Sequence, residues 1–358
     1  MKFINNIDEM KNLKLIKNSH EHITIKNLYS YLKEYLYKIF IIILFFYIII
    51  IHSLLYYRKT IINKNENKIN INNKDRKESK YDINFDYLNF ERNIVTEKMI
   101  KKANWQISIN QAYFINGLIR KIRPKNCLEI GVAEGGSSIL ILNALKDIKN
   151  SHLVSLDLNS SSCKNRFQKT GNRVKKYFPE LADKWSLFTG DLPNKFLDKL
   201  NMKFDFVFID SAHESPGEIL NLIEVLPFIN ENVVIVVHDI FWHFTRKAPP
   251  PPKEIKFTPS CIYLLSVLYG DKLLIKNNEL ENMGAVFLYK DQKRHYLDYF
   301  LLLNGFWEYM PSEKQIEDIR IFIKKYYNND LYLQLFDNSV YYNQIYIKKF
   351  KNFISHCP

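Results

Sequence analysis

Cys127-Leu128-Glu129-Ile130-Gly131-Val132-Ala133-Glu134-Gly135-Gly136-Ser137-Ser138 decides the fold of this chain. A short apolar strand runs into a turn with three glycines in six residues, and Ile139-Leu140-Ile141-Leu142 then opens a helix. Glycines at such a turn let the backbone approach a ligand closely and leave helix N-terminal amides unblocked, which suits a nucleotide-like cofactor. Gly131-x-x-x-Gly135-Gly136 is not the G-x-G-x-x-G of dinucleotide binders. No Gly-Lys-Ser/Thr follows it, so it is not a P-loop either.

Downstream of this turn, strand and helix patterns alternate, the signature of a parallel sheet covered on both faces. Strands are predicted at 152–157, 185–189, 204–210 and 233–238, with helices at 138–147, 165–178, 192–200 and 217–228. The prolines at 249–252 exclude helix and central strand there, so that stretch reads as a stiff loop. A helix over 260–269 and two short strands, 273–275 and 285–289, complete a seven-stranded, mostly parallel, doubly wound sheet of Rossmann-like α/β class. Upstream, apolar positions recur at helical spacing from 96 to 122, where Pro124 marks the stop. After residue 290 come aromatic-rich helices. One opens on the capping box Ser312-Glu313-Lys314-Gln315 and carries the apolar stripe Ile316, Ile319, Ile323 and Tyr326; the extension reads as packing and dimer contacts in preference to a substrate lid, so a homo-oligomer is allowed.

Residues 39–57 are 19 consecutive positions without a formal charge, of which 14 are Ile, Leu or Phe. As a helix this run is about 28 Å long, close to the ~30 Å hydrocarbon thickness, and it reads as one transmembrane helix. The 20 residues before it hold three Lys/Arg and the 20 after it hold seven, so the positive-inside rule leaves the large C-terminal part in the cytoplasm. The expected organisation is a tail over 1–38, the span over 39–57, a polar linker over 58–95, the sheet domain over 96–290 and a helical extension over 291–358.

The net charge is 51 − 38 = +13, but residues 1–80 carry 15 Lys/Arg against 7 Asp/Glu, a net of +8. Only +5 remains for everything after, and no basic-aromatic motif accompanies it, so no nucleic-acid partner is expected. The four cysteines (Cys127, Cys163, Cys261, Cys357) form no C-x-x-C and read as reduced thiols.

Ligands of an open α/β sheet bind outside the carboxyl ends of its strands. Five successive strands deliver suitable groups there: Gly131 to Ser137, then Asp157, Asp191, Asp210, and finally His238 with Asp239. Asp157 can accept from ribose hydroxyls or cap a helix, and Asp191 can accept from an adenine amine or cap the turn after it. Two carboxylates, Asp210 and Asp239, could hold Mg²⁺ or another divalent cation, and the imidazole of His213 is suited to proton transfer near neutrality or to bonding a loop carbonyl.

The glycine turn led by Glu129 resembles motif I of the class I S-adenosylmethionine (SAM) dependent methyltransferases. Phe204-Asp205-Phe206-Val207-Phe208-Ile209-Asp210-Ser211-Ala212-His213, paired with the terminal His238-Asp239, is similar to methyltransferase family 24, which includes catechol-type and sugar O-methyltransferases. The resemblance covers about 100–290. It implies SAM contacts at Glu129, Gly131, Glu134, Gly135, Gly136, Ser137, Asp157 and Asp191, and a metal at Asp210 and Asp239. It also implies a proton acceptor at His213, acting with Asp210. Relatives commonly carry Asn after the second Asp or a carboxylate before it; Ile240 and His238 stand there, and His238 is the candidate third ligand. The expected function is a membrane-anchored SAM-dependent O-methyltransferase acting on a hydroxyl of a small molecule or glycan. Competing readings are a nicotinamide-dependent oxidoreductase, against which the missing G-x-G-x-x-G argues, and a non-catalytic membrane-tethered binding module.

Overall fold

The computed structural model describes residues 95–103, 107–162, 167–241, 260–275 and 282–355, all within one unit, 77–358. The expected membrane span at 39–57, its linker and the proline stretch lie outside the described residues. Among the described residues no helix is long and apolar enough to cross a membrane.

Seven strands form one sheet: β1 (Asn126–Ile130), β2 (His152–Asp157), β3 (Trp185–Thr189), β4 (Phe204–Ile209), β5 (Ile229–His238), β6 (Gly270–Leu274) and β7 (Met283–Leu288). Their spatial order is β3-β2-β1-β4-β5-β7-β6. The first five run parallel, and β7 lies antiparallel between β5 and β6. The order reverses between β1 and β4, the place where open α/β sheets leave a crevice at their carboxyl ends. Strand boundaries follow the sequence reading within two residues, except that β5 begins four residues and β6 three residues earlier than expected.

Side chains alternate across the strands, so each strand feeds two cores. Leu128, Val154, Val207, Ile209 and Ile235 enter one, together with helices α5 (Pro193–Leu200), α6 (Gly217–Val225) and α7 (Ser260–Val267). Cys127, Leu153, Phe206, Phe208 and Val236 enter the other, under α1 (Glu97–Ala103), α2 (Ile109–Ile122) and α3 (Gly136–Leu145). All ten residues of α3 are buried, which is why its sequence is apolar on every side.

Two predicted helices are corrected. The stretch at 96–122 is broken at Ser108, whose extended backbone starts α2 through a reciprocal capping box with Gln111. The helix expected at 165–178 is only α4 (Asn172–Tyr177), because Gly171 stands at φ +70° and Lys169 bridges back to Ser161.

The helical extension packs on the first core. α8 (Tyr296–Leu301), α9 (Glu313–Tyr327) and α10 (Asp330–Ser355) place Phe300, Ile323 and Phe336 in the same apolar cluster as Val207 and Ile235, and Trp307 joins it from the segment between α8 and α9. The Ser312 capping box is present, with Gln315 N donating to Ser312 Oγ at 3.3 Å and Ser312 N donating to Gln315 Oε1 at 2.9 Å.

Candidate active site

Gly131 ends β1 at φ +86°, and a Cβ on it would lie 1.8 Å from the Asp210 carbonyl oxygen, so no other residue fits. Asp210 N in turn donates to Ile130 O at 2.9 Å. The glycine turn and the end of β4 are therefore in direct backbone contact. Gly135, at φ +92°, precedes α3 and makes no side-chain cap, so the N-terminus of that ten-residue helix points its dipole into the turn.

Beneath the turn lies Glu129, which is fully buried. Its oxygens accept from Ser137 Oγ and Ser138 Oγ at 2.6 Å and from Ser155 Oγ at 2.5 Å, and Trp185 Nε1 donates to Ser155 Oγ at 2.8 Å. Burial pushes the Glu129 carboxyl up to about 7 against the pull of the three hydroxyls. The side chains of Glu129 and Ser137 thus face each other, and their work in this structure is to tie β1, β2 and the start of α3 together under the turn.

Glu134, nine-tenths buried, is engaged sideways. It ion-pairs with Arg173 and accepts from Ser162 Oγ at 3.1 Å, while Arg173 N donates to Glu134 O at 3.0 Å and Gly171 N to Ala133 O at 2.9 Å. Asp157 neither caps a helix nor stands free: Oδ2 accepts from Val132 N at 2.9 Å and Ala133 N at 3.0 Å, and Oδ1 from Asn159 N at 2.8 Å. A carboxylate has about four acceptor positions, so roughly one remains for a ligand hydroxyl. Asp191 Oδ1 accepts from Leu192 N at 2.9 Å, the turn-capping role. Beside it Gly190 (φ +97°) has open space, with nothing within 4 Å of where a Cβ would stand.

Across the contact from Gly131, four expected side chains converge. His213 Nδ1 lies 3.0 Å from Asp239 Oδ2, and His213 Nε2 lies 3.7 Å from Asp210 Oδ1. His238 Nδ1 lies 3.2 Å from Asp210 Oδ1 and 3.4 Å from Asp239 Oδ2. Burial alone would lower the His238 pKa, but the two carboxylates raise it to about 10, so this imidazole is a buried cation near neutrality. Of the expected metal set, Asp210 and Asp239 lie together with His238 Nδ1 between them, and the ligand atoms of Asp210, His213 and Asp239 are all within 4.8 Å of one another. Two carboxylate oxygens with an imidazole nitrogen beside them are a donor set suited to a divalent cation.

Two groups that sequence reasoning missed hold this cluster. Glu218, fully buried on α6, accepts from His213 N and from Ser260 Oγ (2.9 Å), which fastens His213 at φ +56°. Asn282 donates to Asp239 from the start of β7. Glu218 left one signal: an acid sharing a helical face with Leu222 and Val225 sits on an apolar stripe and needs a buried partner. Asn282 left none, since its partner is 43 residues away on another strand.

The sequence model of the family described as a methyltransferase domain, methyltransferase family 24, matches residues 128–240, the span from β1 to the end of β5. No curated protein matches the chain. Similar solved structures include an O-methyltransferase from Streptomyces achromogenes involved in tomaymycin synthesis, in complex with SAM (18% identity, 54% of this chain and 90% of that one, TM-score 0.40). Others are an S-adenosylhomocysteine-bound methyltransferase from Podospora anserina (20%, 55% and 89%, TM-score 0.41) and an O-methyltransferase from Bacillus cereus in complex with S-adenosylhomocysteine (17%, 54% and 91%, TM-score 0.39). At TM-scores of this size the likenesses carry no argument about substrate. Residues 128–240, from the glycine turn to the His238-Asp239 pair, are thus similar to a methyltransferase domain, the family that the sequence motifs resemble.

Proposed function

We propose that the enzyme transfers the methyl group of SAM to a hydroxyl oxygen, using a divalent cation held by Asp210 and Asp239 beside His213, which takes the hydroxyl's proton. The observation that carries this reading is the contact between the two halves of the site: the glycine turn meets Asp210 through backbone, and Asp210 leads directly into the carboxylate and imidazole cluster. A cofactor over the turn and an acceptor over the cluster would then be neighbours.

When bound, SAM supplies a methyl group already activated as a sulfonium. A divalent cation supplies a lowered hydroxyl pKa and a grip on acceptor oxygens. The chain's own residues do the rest. The turn 131–136 and the uncapped N-terminus of α3 receive the polar end of the cofactor, Asp157 offers its remaining acceptor position, and the open face at Gly190 leaves room beside Asp191. With a proton on Nδ1 held toward Asp239, Nε2 of His213 is the nitrogen that takes the acceptor's proton. Asp239 faces that ring at Nδ1, and Glu218 fastens the His213 backbone behind it through the amide.

The location and the acceptor are inferred from sequence. The 19-residue apolar run at 39–57 would anchor the enzyme in a membrane, and the Lys/Arg excess after it would put the catalytic part in the cytoplasm. A hydroxyl of a sugar in a surface glycan or lipid-linked precursor is the acceptor such an anchor would serve. The test is tritiated-methyl transfer from SAM by the full-length protein to membrane glycolipid extracts, with and without chelator. Chelator-sensitive label in the glycolipid fraction is expected; label that ignores chelator would sink the cation, and label confined to small phenols would sink the glycan.

A further inference from the structure

We propose that Asn282 is a positioning residue for Asp239, and that it sets the affinity of the Asp210, His213 and Asp239 cluster for its cation. The inference rests on the reading of that cluster as a cation site. In the β5 and β7 register His238 stands opposite Met283, so Asn282 is the next residue out, beside Asp239. From there it grips three consecutive residues. Its side-chain Nδ2 donates to Asp239 Oδ1, its side-chain Oδ1 accepts from Phe241 N at 2.5 Å, and its carbonyl accepts from Ile240 N at 3.4 Å.

Asp239 needs such a hold, because its backbone stands at φ +54°, a conformation that costs a non-glycine residue on the order of 1 kcal/mol or more. With Oδ1 engaged by the amide, Oδ2 is the oxygen turned toward His213 and His238. The amide's own oxygen accepts from Phe241 N and its Nδ2 donates to Asp239, so Asn282 acts on the cluster through Asp239. The position calls for one donor and one acceptor in a single planar group. Aspartate there would set a carboxylate against Asp239, and alanine would leave it to turn. The adjoining side chain, Ile240, is buried and apolar and offers no replacement.

The experiment compares full-length wild type, Asn282→Ala, Asn282→Asp and Asp239→Asn. It measures Mn²⁺ affinity by paramagnetic resonance, SAM affinity by calorimetry, and thermal melting. Both Asn282 variants are expected to bind Mn²⁺ about 10- to 100-fold more weakly. Their SAM affinity should stay within about twofold and their melting close to wild type, with methyl transfer partly restored by raised Mn²⁺. Unchanged Mn²⁺ affinity in both, with Asp239→Asn impaired, would overturn the role of Asn282 and leave the cation site standing. Equal losses of Mn²⁺ and SAM affinity would mark Asn282 as merely structural and overturn it too. A wild type that binds no Mn²⁺ would overturn the cation reading and this inference together.

Discussion

At the scale of single residues, the strand-end rule found the groups that converge, and folding decided what each one does. Asp210, His238 and Asp239 stand at strand ends, which places them at one edge, and His213 joins them three residues after Asp210. Their division of labour depends on burial and distance. His238, buried between two carboxylates, becomes a cation, while His213 has a partly exposed side chain and faces one carboxylate with each nitrogen. His213→Ala should therefore lower kcat by about 10²- to 10⁴-fold, the usual worth of a general base, with SAM affinity unchanged by calorimetry. A variant that keeps wild-type kcat would assign the imidazole to loop structure. Glu218 and Asn282 escaped the sequence reading because a positioning group has no motif of its own; it is recognisable only from the side chain it reaches.

At the scale of elements, α5, α6 and α9 meet around a polar group that no periodicity would place there. Glu224 on α6 is 1% exposed, and neither of its oxygens has a hydrogen-bond partner among the described residues. Burial pushes its carboxyl up to about 8; the Asn194 backbone pulls it down, and Asp191 and Asp318 push it further up. Lys195 is turned to Asp318, at 2.5 Å. The acid is thus neutral in the fold near pH 7 but ionised in the unfolded chain above its ordinary 4.5. A raised acid pKa favours unfolding increasingly as pH rises from 4.5 to about 8, and by a constant amount beyond. Glu224→Gln should match wild type in thermal melting near pH 4.5 and exceed it progressively up to pH 8 to 9. Parallel melting curves across that range would show that the carboxyl finds a partner when ionised. By contrast, the Ser312 capping box was readable in advance, since its donors and acceptors lie within four residues.

At the scale of the whole molecule, the expected boundary at 290 cuts through a core. Tyr299, Phe300, Trp307, Ile323 and Phe336 are at most 1% exposed and share a cluster with β4 and β5. Losing one such aromatic costs about 3 to 5 kcal/mol, so losing several exceeds the roughly 5 to 15 kcal/mol that holds a domain folded. A chain ending at 290 should show no cooperative thermal transition by near-ultraviolet circular dichroism, and a sharp one would restore the boundary. What the sequence determined by itself was the alternation of strands and helices, the turn that only glycine can make, and the edge at which the chemistry gathers. Each of these depends on near neighbours and on the period of side chains along an element. Only the tertiary structure decided which imidazole is charged, which acids are caged, how the extension joins the core, and that an asparagine just before β7 holds an aspartate just after β5. Those outcomes depend on burial and on pairs far apart along the chain, and local pattern carries no information about either.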